Sequence, residues 1–161
     1  MPPRAGVLTI SDLGARGERE DTSGAAIHEL LTGSGIDVIK YEVVPDERDV
    51  ISARLVEWAD ETALDLIVTT GGTGLGPRDV TPEATREVIR YEVPGIAEAM
   101  RVEGLKQTPM SMISRAVTGV RGQTLIINLP GSPKGVRENL AVVLPVLKHA
   151  LELLSGGPAE H

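Results

Sequence analysis

The densest chemistry in the chain lies at Thr69-Thr70-Gly71-Gly72-Thr73-Gly74-Leu75-Gly76-Pro77-Arg78-Asp79-Val80-Thr81-Pro82-Glu83, which joins an apolar run to a helix-like segment. Glycines at such a junction let the main chain approach a ligand and point N–H groups at an anion. The hydroxyls of Thr70 and Thr73 can add hydrogen bonds, Arg78 can pair with a phosphate, and Asp79 can hold a magnesium ion. The plainer alternative is a glycine-rich turn that only reverses the chain. Established phosphate loops do not match. A Walker A loop closes on Gly-Lys-Ser/Thr, and no lysine stands here. Gly72-Thr73-Gly74 shares part of a dinucleotide fingerprint, but the helix starts too late and no well-placed acid ends a following strand.

Three shorter segments offer related chemistry. Asn128-Leu129-Pro130-Gly131-Ser132-Pro133-Lys134-Gly135 passes from strand to helix, so Pro130, Gly131, Ser132 and Lys134 can build a phosphate site at a helix N-terminus. The alternative is a cap by Ser132 beside a solvated Lys134. Ser11-Asp12 follows the first strand and reads locally as a cap or an Asx turn. Asp46-Glu47 follows the second strand and reads locally as an N-cap with acids favoured by a helix dipole. His28, His149 and His161 show no metal-ligand spacing, and no Ser-His-Asp set can be identified. Met110–Met112 reads as core or interface filler.

These segments must be positioned by the elements between them. Strand-length apolar runs fall at 5–10, 36–44 and 65–70, and a further pair at 117–120 and 124–129 is joined by a tight turn at Arg121-Gly122. Helical spacing fills the gaps. One helix starts near Asp21 or Thr22 and ends at Gly33 and Gly35, a second covers 46–60, and a third has Thr81 as cap, Pro82 at its first position and an end near Arg90. A fourth follows Pro94 over 95–106. A last helix carries Val136, Leu140, Val143, Leu147, Leu151 and Leu154 on one stripe, with Pro145 expected to kink or split it. This order predicts an α/β fold of three layers: a mostly parallel sheet with one antiparallel strand and helices on both faces. The chain reads as a single domain over 1–161, with a mobile tail from roughly 156 to 161. Ligands of such sheets bind at the carboxyl ends of the strands, where all four segments lie.

Composition narrows the function classes. The 161 residues include no cysteine, which removes disulfides, thiolate zinc sites and a cysteine nucleophile. The net charge is −7, the basic residues are scattered, and there are one Trp, two Tyr and no Phe. Nucleic-acid binding is therefore not expected. No stretch approaches the ~20 apolar residues of a membrane span, and Val7 to Ile10 is too short for a signal-peptide core, so a cytoplasmic protein is expected.

Thr70-Gly71-Gly72-Thr73-Gly74 followed by Arg78-Asp79-Val80-Thr81-Pro82-Glu83 resembles the signature of the molybdopterin-binding domain family, in particular its stand-alone Mog/MoaB-type members. Ser11-Asp12, Pro45-Asp46-Glu47 and Asn128–Lys134 match in order, so the resemblance spans nearly the whole chain. It implies a three-layer α/β fold and a homotrimer, or a hexamer built as a dimer of trimers. It also implies binding of molybdopterin and of ATP with Mg2+, transfer of AMP to the terminal phosphate of molybdopterin, and hand-over to a molybdenum-insertion protein. The two critical acids of the family land on Asp46 and Asp79, which would be catalytic and would hold the metal. Ser11, Asp12, Thr70, Gly71, Gly72, Thr73, Gly74, Arg78, Pro130, Gly131, Ser132 and Lys134 would bind the two substrates. A non-catalytic pterin-binding module of the same pathway and a generic nucleotide-binding protein are the rival readings.

Overall fold

The computed structural model describes residues 1–157. The chain runs β1 (Arg4–Ile10), α1 (Asp12–Ala15), α2 (Thr22–Gly33), β2 (Asp37–Val44), α3 (Arg48–Val56), β3 (Leu66–Thr70) and α4 (Thr81–Val88). It continues through β4 (Tyr91–Glu92), α5 (Pro94–Gly104), β5 (Thr118–Arg121), β6 (Thr124–Leu129) and α6 (Pro133–Leu154). A π-helical turn, Glu57–Glu61, extends α3, and a 3-10 turn, Pro109–Ile113, lies between α5 and β5.

The period-two alternation of the strands divides two cores. Ala5, Val7, Leu66, Val68, Leu125 and Ile127 pack on one face against Ile27 and Leu31 of α2, Met100 of α5 and the Val136–Leu151 stripe of α6. Leu8, Ile10, Ile67 and Ile126 pack on the other face against Ile51 and Leu55 of α3, Trp58, and Ala84 and Val88 of α4. Gly6 is small because Trp58 lies on it: a Cβ there would sit 2.7 Å from Trp58 Cε3. The six-stranded sheet has the order β2-β1-β3-β6-β5-β4. Strands β1, β2, β3 and β6 are mutually parallel, β5 is antiparallel to β6, and β4 is antiparallel to β5. Only β5 therefore runs against the rest. β4 is two residues long and too short to leave a periodic signal.

Several local expectations need correction. Thr81 does not cap α4. Val80 holds the cap position without a side-chain bond, and Pro82 follows Thr81 instead of opening the helix. Thr81 Oγ1 instead donates to Gly71 O at 2.9 Å, so the glycine loop takes the hydroxyl that the cap would have used. α4 stops at Val88, because the chain turns there into β4. α3 begins at Arg48, which leaves Asp46 in the loop before it. Pro145 does not split α6, which runs through it from Pro133 to Leu154. Both Pro145 and Ala141 are exposed, so the carbonyl that loses its N–H partner lies on the solvent side. Gly156, with φ +84°, and Gly157, whose N–H donates to Glu152 O, close α6; the rest of the expected mobile tail, 158–161, lies outside the described residues. Among the described residues no helix is long and apolar enough to cross a membrane.

Candidate functional site

Because β1, β2, β3 and β6 point the same way, their exit loops share one edge of the sheet. There they enclose a cleft of ≈ 550 Å³, lined by Thr9, Ser11, residues 19–23, Asp46, residues 70–72, Asp79 and residues 131–133.

The glycine loop is folded by steric and polar demands of its own. Gly71 and Gly72 have φ of +99° and +69°, which favour glycine. A Cβ on Gly71 would lie 2.3 Å from Ile10 O, so only glycine lets the loop press against the end of β1. Gly71 N–H donates to Leu129 O, and Thr70 Oγ1 donates to Pro130 O at 2.6 Å, which ties this loop to the exit of β6. Further along, Asp79 Oδ2 accepts from Gly76 N–H at 2.9 Å, and Asp79 N–H returns a bond to Gly76 O.

Asp46 makes no cap for α3. Its Oδ2 accepts from Asp12 N–H at 2.9 Å, and Asp46 N–H donates to Asp12 Oδ1 at 3.0 Å, a reciprocal clasp between the exits of β1 and β2. Partial burial pushes the Asp46 carboxyl above the usual carboxylate range. The nearby charges of Asp12 and Asp79 push the same way, against the hydrogen bond from Asp12. Asp12 is held below that range, chiefly by the Arg78 guanidinium. Arg78 reaches Asp12 at 3.0 and 3.1 Å and Glu47 at 2.9 Å, and these partners raise its own pKa further.

The structure thus brings Ser11, Asp46, Thr70, Gly71, Gly72, Asp79, Gly131 and Ser132 to the cleft wall. Ser11 and Ser132 also cap their helices, accepting from Gly14 N–H and Gly135 N–H at 3.0 Å each. Asp12, Thr73, Gly74, Arg78, Pro130 and Lys134 stand outside the wall. Arg78 is engaged with acids, Lys134 is 81 % exposed and 3.8 Å from Glu138, and Pro130 borders a separate hollow of ≈ 210 Å³ beside α5. Among the described residues no three His, Cys, Asp or Glu side chains converge as a ready-made metal cage.

Sequence reasoning missed two features. Asp21 caps α2 through Gly24 N–H, and its second oxygen accepts from Thr9 Oγ1 at 2.6 Å and from Tyr41 Oη. Burial and the Asp21 carboxylate raise the Tyr41 pKa. Asp21 was legible as a cap, but nothing local marked it as a wall of the cleft. The other feature is Arg115, whose guanidinium grips the glycine loop from outside. Among the wall residues Glu20, Asp21, Asp46 and Asp79 are acidic and Arg19 alone is cationic.

Comparison with known proteins gives one consistent picture. Residues 6–149 match the family model described as "Probable molybdopterin binding domain". A Helicobacter pylori (strain J99) protein named molybdopterin adenylyltransferase is 46 % identical over 153 residues, covering 94 % of this chain and 87 % of the relative. The Escherichia coli (strain K12) protein of the same name is 42 % identical over 139 residues, covering 85 % and 71 %. The crystal structure of the molybdopterin biosynthesis enzyme MoaB from Thermus thermophilus superposes with a TM-score of 0.91 at 60 % identity, covering 98 % of this chain and 99 % of that one.

Proposed function

The chain belongs to the molybdopterin-binding domain family, and from that premise we propose that it works in molybdenum cofactor biosynthesis as a molybdopterin adenylyltransferase. The reaction moves AMP from ATP to the terminal phosphate of molybdopterin and releases pyrophosphate. The observation that supports this best is the meeting of Asp46 and Asp79, from the exits of β2 and β3, in one cleft beside the left-handed glycines Gly71 and Gly72. The names of the two bacterial relatives point the same way.

Adenylyl transfer needs alignment and charge neutralisation more than covalent help. A terminal phosphate oxygen forms a bond to the α-phosphorus of ATP, the α–β bridging P–O bond breaks, and the electron pair leaves with pyrophosphate. Gly71 N–H is occupied by Leu129 O, so the first loop N–H without an acceptor among the described residues is that of Gly72, which would serve the phosphates. Arg19 is the cation on the wall. Arg78 serves indirectly, by fixing Asp12 and, through it, Asp46. Asp46 and Asp79 each have one carboxylate oxygen tied to the main chain, which orients the other.

The donor set fits Mg2+. The ion commonly takes one or two carboxylates and completes its shell with water and phosphate oxygens, so it requires no cage of three protein acids. Asp46 and Asp79 would hold it, and when bound it supplies positive charge between an acidic cleft and a polyphosphate.

We place the protein in the cytoplasm as a homotrimer or a dimer of trimers that passes its product to a molybdenum-insertion protein. Self-association is supported by exposed Val102, Leu105, Met110, Met112 and Ile113, which crowd α5 and the 3-10 turn. The test is pyrophosphate release. Release that requires molybdopterin and ATP together supports the enzyme; pterin binding without release supports the non-catalytic module instead.

A further inference from the structure

Asp79 lies on a loop with little regular structure, yet the reaction proposed above needs its carboxylate in one place. Within the loop the Asp79–Gly76 pair of bonds restrains it, and the neighbouring Arg78 side chain ties the stretch to Asp12 and Glu47. The main chain of this stretch is held, among the described residues, by one side chain from outside it. Arg115 Nε donates to Gly74 O at 2.8 Å and Nη2 donates to Asp79 O at 2.8 Å. The same guanidinium is turned by Glu83 of α4, at 2.6 Å from Nη1 and 3.3 Å from Nη2. Arg115 N–H also donates to Thr73 O at 2.9 Å. The base of the side chain is fixed in turn, because Arg101 Nη1 of α5 donates to Ala116 O at 3.0 Å and Ser114 O at 3.4 Å.

One planar fork therefore joins both ends of the 74–79 stretch to the first turn of α4. Carbonyls in two directions and a carboxylate in a third suit a guanidinium. A lysine ammonium is a point charge on a flexible stem and cannot hold all three at once. Arg115 is not part of the cleft wall, so its effect is routed through the loop that it holds.

We propose that Arg115 is a positioning residue that acts through Asp79, holding the glycine loop in the form that presents this carboxylate to the cleft. The proposal rests on the adenylyltransferase reading. Without Arg115 the loop keeps its glycines, its acid and the Arg78 ion pairs but loses the brace on its main chain. Misplacement of a reacting group by about 1 Å can cost up to roughly a hundredfold in rate.

The experiment compares Arg115→Met, Arg115→Lys, Asp79→Asn and Arg115→Met/Asp79→Asn, at a temperature where circular dichroism shows all of them folded. The expected result is a kcat lower by roughly tenfold to a hundredfold in Arg115→Met, with KM for molybdopterin little changed, and no rescue by Arg115→Lys. The double variant should lose little beyond Asp79→Asn, since the two residues act as one unit. In parallel, amide hydrogen exchange should accelerate at Gly76 and Asp79, whose N–H groups are the hydrogen-bonded ones of this stretch, in Arg115→Met while β3 keeps its protection. A folded Arg115→Met with wild-type kcat, or losses that multiply in the double variant, would overturn the proposal and leave Arg115 as a stability element. If the wild-type protein transfers no AMP, the adenylyltransferase reading falls. Exchange then decides the brace alone, and unchanged protection at Gly76 and Asp79 rejects it.

Discussion

Replacing Gly72 by alanine tests whether the glycine loop is built as described. The new Cβ would stand 2.2 Å from Thr81 Oγ1 and 3.3 Å from Asp46 Oδ1, on a backbone with φ +69°. Holding an L-residue in the left-handed region costs about 1–2 kcal/mol. Moving the Thr81 hydroxyl aside forfeits its 2.9 Å bond to Gly71 O in a fully buried setting, worth about 1–3 kcal/mol because the carbonyl is left unpaired. Gly72→Ala should therefore lose about 2–5 kcal/mol, a large part of the ~5–15 kcal/mol typical of a domain. At about 2–4 °C per kcal/mol for a chain of this size, Tm should fall by roughly 4–20 °C. Thr81→Ala alone should lose about 1–3 kcal/mol. In the Thr81→Ala background the clash is gone, so adding Gly72→Ala should cost only the ~1–2 kcal/mol of backbone strain. Thermal and urea melts of the four proteins measure this cycle. Additive losses, or a Gly72→Ala penalty below about 1 kcal/mol, would refute the steric argument.

Other substitutions probe separate parts of the molecule. The Asp46 carboxyl is raised mainly by burial, so the stability tied to its protonated form is complete below the unfolded-state pKa and lost as pH rises through the folded-state value. Asp46→Asn should then melt at or above wild type at neutral pH and converge with it below about pH 4, while AMP transfer falls; a clear destabilisation at pH 7 would contradict this. Glu83 is held below its ordinary range by Arg115, which gives the opposite sign: its contribution is present above the unfolded-state pKa and lost as pH falls through the folded one. The stability gap between wild type and Glu83→Gln should therefore shrink on acidification, and a gap independent of pH from 7 to 3 removes that pairing from the account. Thr118 Oγ1 is buried without a hydrogen-bond partner, so Thr118→Val should be neutral or stabilising by up to about 1 kcal/mol, and a loss of more than that would reveal an unrecognised partner.

The parts of the molecule that were legible in the sequence are those encoded by short-range patterns. Alternation and apolar runs locate β1, β3 and β6, and Asp21 and Gly35 bracket α2 as cap and left-handed stop. The rule that parallel strands open their loops on one edge places Asp46 and Asp79 together despite their separation. What stayed hidden depends on contacts between distant residues. Arg115 reaches Asp79 across 36 positions, and Asp46 meets Asp12 across 34, so no local spacing announces either bond. Thr81 misleads for a related reason: a good capping residue was recruited by a carbonyl ten positions earlier. Arg78 fits a phosphate ligand by type, yet two acids from other loops claim it first.

AMP transfer from ATP to molybdopterin would run with Asp46 and Asp79 at the reacting phosphates. The most direct measurement incubates the protein with molybdopterin, Mg2+ and ATP labelled at the α-phosphate, and follows the label into the pterin. Labelled adenylylated pterin should appear in step with pyrophosphate, and both should fall sharply in Asp46→Asn and Asp79→Asn while pterin binding persists. Label that stays in nucleotide, or normal transfer by both variants, would contradict this.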